Sequence, residues 1–251
     1  MKYFSVAEAR QMDGIKLALT AGVPGPWSES AKHIFRIKKI PFIPVAQLLA
    51  QPNEELQAWT GQRNAPVVMV EGMPPKSNWA DILMLAERLA PEPALMPSSS
   101  AERIEAFGLC AEICAEGGFL WASRTLTLAA AKEGPARNEL MQRAYGGTAA
   151  EIANAPARVA DILGMLADRL KVQEKRGSPY LLGNKLLACD IYWACFSQSV
   201  AVLPPDMCPM PEPLRRIYEN VPASTRAALD PILLRHRDFI YREHIGLPLD
   251  F

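Results

Sequence analysis

One short run concentrates the chemistry this chain can offer: Gly22-Val23-Pro24-Gly25-Pro26-Trp27-Ser28-Glu29-Ser30. A Gly-Pro turn that opens directly into a helix presents the first N–H groups of that helix, which have no partner within it and carry a partial positive charge. Such a start suits a bound anion. The nearby hydroxyls are Ser28 and Ser30. Ser28 lies about one turn into the helix, where it either faces the same mouth or bonds locally to backbone. Other reactive groups are thinly spread. His33, His236 and His244 have no metal-ligand spacing. Cys110 and Cys114 share a helix face but have no histidine nearby to complete a ligand set, so no metal site is expected. No phosphate-binding glycine loop or nucleophile elbow occurs.

Composition narrows the class. With 49% apolar residues, the 251-residue chain can bury a substantial core as one large domain or two ordinary ones. Lysine plus arginine equals aspartate plus glutamate, 27 each, which argues against a nucleic-acid partner. Lys32, Arg36, Lys38 and Lys39 lie close together and read as a solvated helix face rather than a basic patch. No apolar run is long enough to span a bilayer. The first residues lack the apolar core of a signal peptide. Five cysteines, odd in number and without a CxxC pair, suit buried thiols in a reducing compartment. The expectation is a soluble cytoplasmic protein.

The elements that must position the helix mouth follow from periodicity and punctuation. Residues 1–13 read as an N-terminal extension with a short helical pattern from Val6 to Met12. Ile15–Thr20 reads as a first strand, Ser28–Lys39 as a helix and Phe42–Val45 as a second strand after the break at Pro41. Gly25 either caps the helix or takes a positive φ, with Pro26 at the first helical position. Glu54–Thr60 is a short helix. Pro66–Glu71 is a valine-rich strand, and Met73–Lys76 a short edge strand weakened by two prolines. Asn78–Ala90 is an amphipathic helix with Asn78 as its N-cap. The run PEPALMPSSS, residues 91–100, has the composition of a linker. Everything beyond reads helical: Ala101–Ala131, Pro135–Lys171 with a break at Gly146-Gly147, Leu187–Val200, Glu212–Asn220 and Ala223–Tyr241.

This layout resembles the soluble glutathione transferases over roughly residues 14–245. Three stretches carry the resemblance: GPWSESAKHIFRIKKIPF, NAPVVMVEG and SPYLLGNKLLACDIYWACF. The resemblance implies a thioredoxin-like α/β domain over 14–90, a linker over 91–100 and an all-helical domain over 101–251. It implies glutathione as co-substrate, a small hydrophobic electrophile as the second substrate, and a homodimer. Within the site it implies that Pro26 and Trp27 mark the helix mouth that holds the sulfur. A cis Ala65-Pro66 bond would pair its backbone with the cysteinyl moiety. Arg63, just before this segment, either pairs with the glycyl carboxylate or is a solvated surface arginine. Asn78 and Trp79 stand where the family holds the γ-glutamyl end.

The chain departs from the family at three places. Counting back from Ile40-Pro41-Phe42, the usual Ser or Cys of the mouth falls on Gly25, which leaves Ser28 as the candidate catalytic hydroxyl. Asn78-Trp79 replaces an acidic-Ser pair, so Asn78 is a ligand contact or simply a cap, and Trp79 a packing residue. Leu187 replaces the capping hydroxyl three residues before Asp190, which is then structural. Trp121, Arg124, Trp193 and Phe196 either line a substrate pocket or belong to the core. Two functions remain open: a glutathione-dependent transferase, or a binding protein that keeps this fold without its chemistry.

Overall fold

The computed structural model describes residues 1–130 and 139–251. The chain divides into two compact units, Met1–Leu95 with Pro248–Phe251, and Met96–Leu247.

The first unit is built on a three-stranded sheet of order β2-β1-β3. Its elements are α1 (Val6–Arg10), β1 (Lys16–Thr20), α2 (Pro26–Ile37), β2 (Ile43–Gln47), α3 (Glu54–Thr60), β3 (Val67–Met69) and α4 (Trp79–Leu89). β1 runs parallel to β2, with Ala18 opposite Val45, and antiparallel to β3, with Ala18 opposite Val67. This is the thioredoxin-like arrangement that the resemblance implies. The expected strand at 73–76 is reduced to one bridge, Lys76 to Val68, because Pro74 and Pro75 have no N–H to extend a ladder.

Strand alternation divides the core. Ala18, Val45, Val67 and Met69 face a cluster completed by Val6, Ala9 and Leu56 from α1 and α3. Leu17 and Leu19 point the other way, and α2 packs on β1 and α4. The first thirteen residues are tied in: Phe4 pairs with β2 at Val45, and Ser5 caps α1 in a reciprocal box with Glu8.

The polar face of α2 is not the solvated surface that its charges suggest. Lys32 is fully buried and Lys38 nearly so, while Arg36 and Lys39 are exposed. The buried ammonium groups are tolerated because each is paired. Lys32 Nζ donates to both oxygens of Glu29, at 2.7 and 2.8 Å, and to the Asp250 carbonyl at 2.6 Å. Lys38 Nζ donates to Glu87 and to the Pro93 carbonyl. Arg36 holds the Asp250 carboxylate with two hydrogen bonds, at 2.7 and 2.8 Å. Burial alone would raise that carboxyl; the Arg36 hydrogen bonds and the Lys32 and Arg36 charges outweigh it and hold it well below the usual carboxylate range. His33 is buried too, and burial holds its imidazole below the ordinary value. Residues 91–100 are likewise engaged: Leu95, Met96 and Pro97 are buried, and Leu95 N–H donates to Glu87.

The second unit is helical throughout its described residues. It comprises α5 (Ser100–Cys114), α6 (Phe119–Ala130), α7 (Glu139–Tyr145), α8 (Ala149–Lys175), α9 (Ala188–Phe196), α10 (Glu212–Glu219), α11 (Ala223–Ala228) and α12 (Pro231–Ile240). All nine residues of α9 are buried, among α5 and α12. The single helix expected over Ala101–Ala131 is two, and its last residue lies outside the described residues. Gly117 takes φ +76°, and a Cβ on Gly118 would meet the carbonyl oxygens of Ala111, Glu112 and Ala115 at 2.8–2.9 Å. The start of the expected helix at Pro135 also lies outside the described residues. The break at Gly146-Gly147 is present, and α8 begins after it with a Thr148–Glu151 capping box. Pro231 divides the expected helix 223–241, with Asp230 as the new cap. No helix among the described residues is long and apolar enough to cross a membrane.

Candidate functional site

The sheet topology gathers several chain segments at one edge. β1 and β2 are parallel, so their ends, Thr20 and Gln47, lie together. β3 is antiparallel to β1, so its start lies beside the end of β1. The Lys76–Val68 bridge is antiparallel again, so the chain then runs toward this same edge and enters α4 there. The starts of α2, β3 and α4 and the loop after β2 therefore surround one rim of the first unit. Open sheets containing parallel strands place ligands at such rims.

Gly25 is the N-cap of α2, at φ −64° and ψ 120°, with no side-chain cap hydrogen bond. It is extended rather than positive in φ, so its backbone needs no glycine. Pro26 occupies the first helical position, and Glu29 N–H makes the first helical bond to the Gly25 carbonyl at 2.8 Å. Glu29 is the acid of this first turn, and Lys32 neutralises it, so the positive end of the helix stands unopposed.

Ser28 does not present a free hydroxyl. It is 2% exposed, its Oγ accepts from Thr20 N–H at 3.1 Å, and it lies 3.2 Å from Thr20 Oγ1. That geometry ties α2 to the end of β1. Ser30 donates to the Trp27 carbonyl within the helix. The residue that sequence reasoning missed is Thr20, a half-buried hydroxyl that precedes the turn rather than following it. A Cβ on Gly25 would lie 3.6 Å from its Oγ1. The signal was available: a threonine at the last position of a strand that feeds directly into the turn.

At the neighbouring strand the Ala65–Pro66 bond is cis, as the resemblance implies. Val68 exchanges both backbone bonds with Lys76, at 2.8 and 2.9 Å. Two residues back, the same strand edge has no strand beside it among the described residues, so the Ala65–Pro66 backbone borders the rim. Arg63 is half-buried and makes no ion pair among the described residues. Asn78 caps α4: its Oδ1 accepts from Ala80 N–H at 2.9 Å, leaving the side-chain NH2 available at an exposed position. Trp79 is half-buried as the first residue of α4. In the loop after β2, Asn53 adopts a left-handed conformation and bonds Leu48 N–H, Leu48 O and Gln51 O, which fixes the loop shape. The rim thus offers the N–H groups of a helix start, backbone at an uncovered strand edge, a guanidinium with no ion pair among the described residues, and one amide side chain.

Among the other candidates, two belong to the core. Trp193 and Phe196 are fully buried, and Trp193 Nε1 donates to the Leu233 carbonyl. Arg124 stacks over Tyr145 at 4.4 Å, with Trp121 edge-on to the same ring. Asp190 is buried, accepting from Leu181 and Leu187 N–H at 2.8 and 2.9 Å, with His236 Nε2 2.9 Å from Oδ1. His33 and His236 are core residues. Burial pushes the thiols of Cys110, Cys114 and Cys189 well up, which makes them poor nucleophiles. No metal-binding cluster occurs among the described residues.

No family model and no curated protein matches the sequence. Solved structures do. A glutathione S-transferase from Methylobacillus flagellatus with glutathione bound is 16% identical at TM-score 0.64, covering 91% of this chain and 95% of that one. A glutathione transferase family member from Pseudomonas fluorescens with two glutathione molecules bound is 14% identical at TM-score 0.63, covering 96% and 95%. Ure2p in complex with glutathione is 12% identical at TM-score 0.61, covering 95% of each chain. At these identities the likeness establishes that the chain has the glutathione transferase fold.

Proposed function

We propose that this protein binds glutathione at the rim of its first unit and uses the bound thiol on a small hydrophobic electrophile. The observation that carries the reading is the convergence at one rim of three features. They are a helix start with no side-chain cap, the strand edge bordered by Ala65–Pro66, and Arg63 without an acidic partner among the described residues. Several structures that share the fold were solved with glutathione bound, which supports the same ligand here.

Each part of the tripeptide has a matching group. The sulfur sits at the start of α2, beyond Pro26 and Trp27, where the N–H groups and the helix dipole favour the thiolate. The cysteinyl backbone pairs with Ala65 and Pro66. Arg63 takes the glycyl carboxylate in a charge-assisted bond. The start of α4, with Asn78 and Trp79, receives the γ-glutamyl end. Ser28 holds α2 to β1 and does not touch the thiol. The protein is assigned to a reducing, cytoplasmic setting on its five buried cysteines, and to a homodimeric state on the fold.

A second reading has its own observation. Gly25 has no side chain, and Trp79 replaces a small hydroxyl at the γ-glutamyl end, so the fold also suits a glutathione-binding protein without turnover. Calorimetric titration with reduced glutathione tests the shared premise. Saturable binding in the micromolar to low-millimolar range is expected, and conjugation of an activated aryl halide then separates the two readings. A titration with no saturable heat contradicts both.

A further inference from the structure

We propose that the Thr20 hydroxyl takes the place of the missing side chain at residue 25 and donates a hydrogen bond to the bound thiolate. The inference deepens the glutathione reading and rests on it.

Position comes first. Residue 25 is the N-cap at the mouth of α2, and a Cβ built there would stand 3.6 Å from Thr20 Oγ1 and 3.7 Å from Thr20 Cβ. The Thr20 side chain therefore borders the space that a side chain at residue 25 would enter. It is anchored there by the end of β1, and its β-branch restricts χ1. The glycine is what leaves this hydroxyl uncovered.

Proton bookkeeping gives the direction of the bond. A hydroxyl has one proton to donate. Ser28 Oγ accepts from Thr20 N–H at 3.1 Å, and its remaining contact is Thr20 Oγ1 at 3.2 Å. Ser28 is buried, so its proton has Thr20 Oγ1 as its acceptor among the described residues. Thr20 then accepts from Ser28, and its own proton has no acceptor in the described chain. Being half-buried, Thr20 can give that proton to a ligand at the mouth. Two hydroxyls in series polarise each other, which strengthens the outer donor. A donated hydrogen bond favours the charged form of the acceptor, here the thiolate over the thiol. Ser28, read from sequence as the candidate hydroxyl, becomes the positioning residue behind the one that touches sulfur.

The test follows the thiolate of protein-bound glutathione by ultraviolet absorbance against pH, in wild type, Thr20→Val, Thr20→Ser and Ser28→Ala. Valine keeps the shape and removes the hydroxyl. Wild type should hold the thiol below its free value. Thr20→Val should raise it again by about one pH unit, about tenfold less thiolate at neutral pH, with little change in glutathione affinity. Thr20→Ser should restore it, and Ser28→Ala should fall between. Circular dichroism of each variant separates these outcomes from misfolding. If wild type lowers the thiol and Thr20→Val lowers it equally, the role of Thr20 is overturned and the site reading stands. If wild type binds glutathione but leaves its thiol at the free value, the role of Thr20 is overturned and binding without turnover stands; if wild type binds no glutathione, both are overturned.

Discussion

Replacing Asp190 by alanine should destabilise the helical unit enough that little folded protein survives at 37 °C. The Asp190 carboxylate is completely buried and serves three donors at once: Leu181 N–H, Leu187 N–H and the His236 ring. Alanine leaves each without an acceptor in a dry interior, at about 1–3 kcal/mol per group. The sum is comparable with the whole stability of an ordinary domain, about 5–15 kcal/mol. Asp190→Asn keeps one acceptor oxygen and should fall between. The effect reaches beyond a helix cap. With Leu187 in place of a capping hydroxyl, the box at the start of α9 retains only its Asp190 half, and that half also fastens the 181–187 loop and α12 through His236. Thermal denaturation of the purified variants is the measurement. An Asp190→Ala protein melting within a few degrees of wild type would mean that the buried network contributes little.

The second large effect is a gain. Gly25→Ser should fold normally and conjugate glutathione about tenfold faster or more, since a single positioned donor in an active site is worth about 10²–10³ in kcat where nothing else replaces it. Three features of the site set this expectation. The backbone at residue 25 is extended, so serine fits without strain. Its Cβ would make only ordinary contacts with Thr20. Serine is a better N-cap than glycine by a few tenths of a kcal/mol, so stability should hold or rise. The gain falls short of the full factor because Thr20 already borders the position. A stable Gly25→Ser protein that binds glutathione but shows no faster turnover would favour the reading in which the fold binds without catalysing.

Much of the scaffold was legible in the sequence because it rests on local signals. The valine-rich run at 66–71, the Asn78 cap and the stop at Pro91 mark elements whose limits agree with the structure to within a residue or two. Helix periodicity runs on through Gly117-Gly118, although the pair separates α5 from α6 for a steric reason that periodicity cannot register. The charge-rich face of α2 was legible in type but not in burial. Whether Lys32 and Lys38 meet water depends on Asp250, Glu87 and Pro93, partners 49 to 218 positions away in the chain. The sequence offers a hydroxyl after Gly25, along the helix, whereas the strand before it places Thr20 beside the helix mouth. A one-dimensional count favours residues that follow a motif; the β1-to-α2 turn folds the chain so that residue 20 adjoins residue 25.

We propose that glutathione sulfur rests at the start of α2 beside the Ala65–Pro66 backbone. Amide-resolved NMR titration with reduced glutathione tests it most directly. The N–H signals of Ser28 and Ala65 should shift together along one saturating curve, while those of α9 stay fixed. Saturating shifts confined to other surfaces, with Ser28 and Ala65 unmoved, would contradict it.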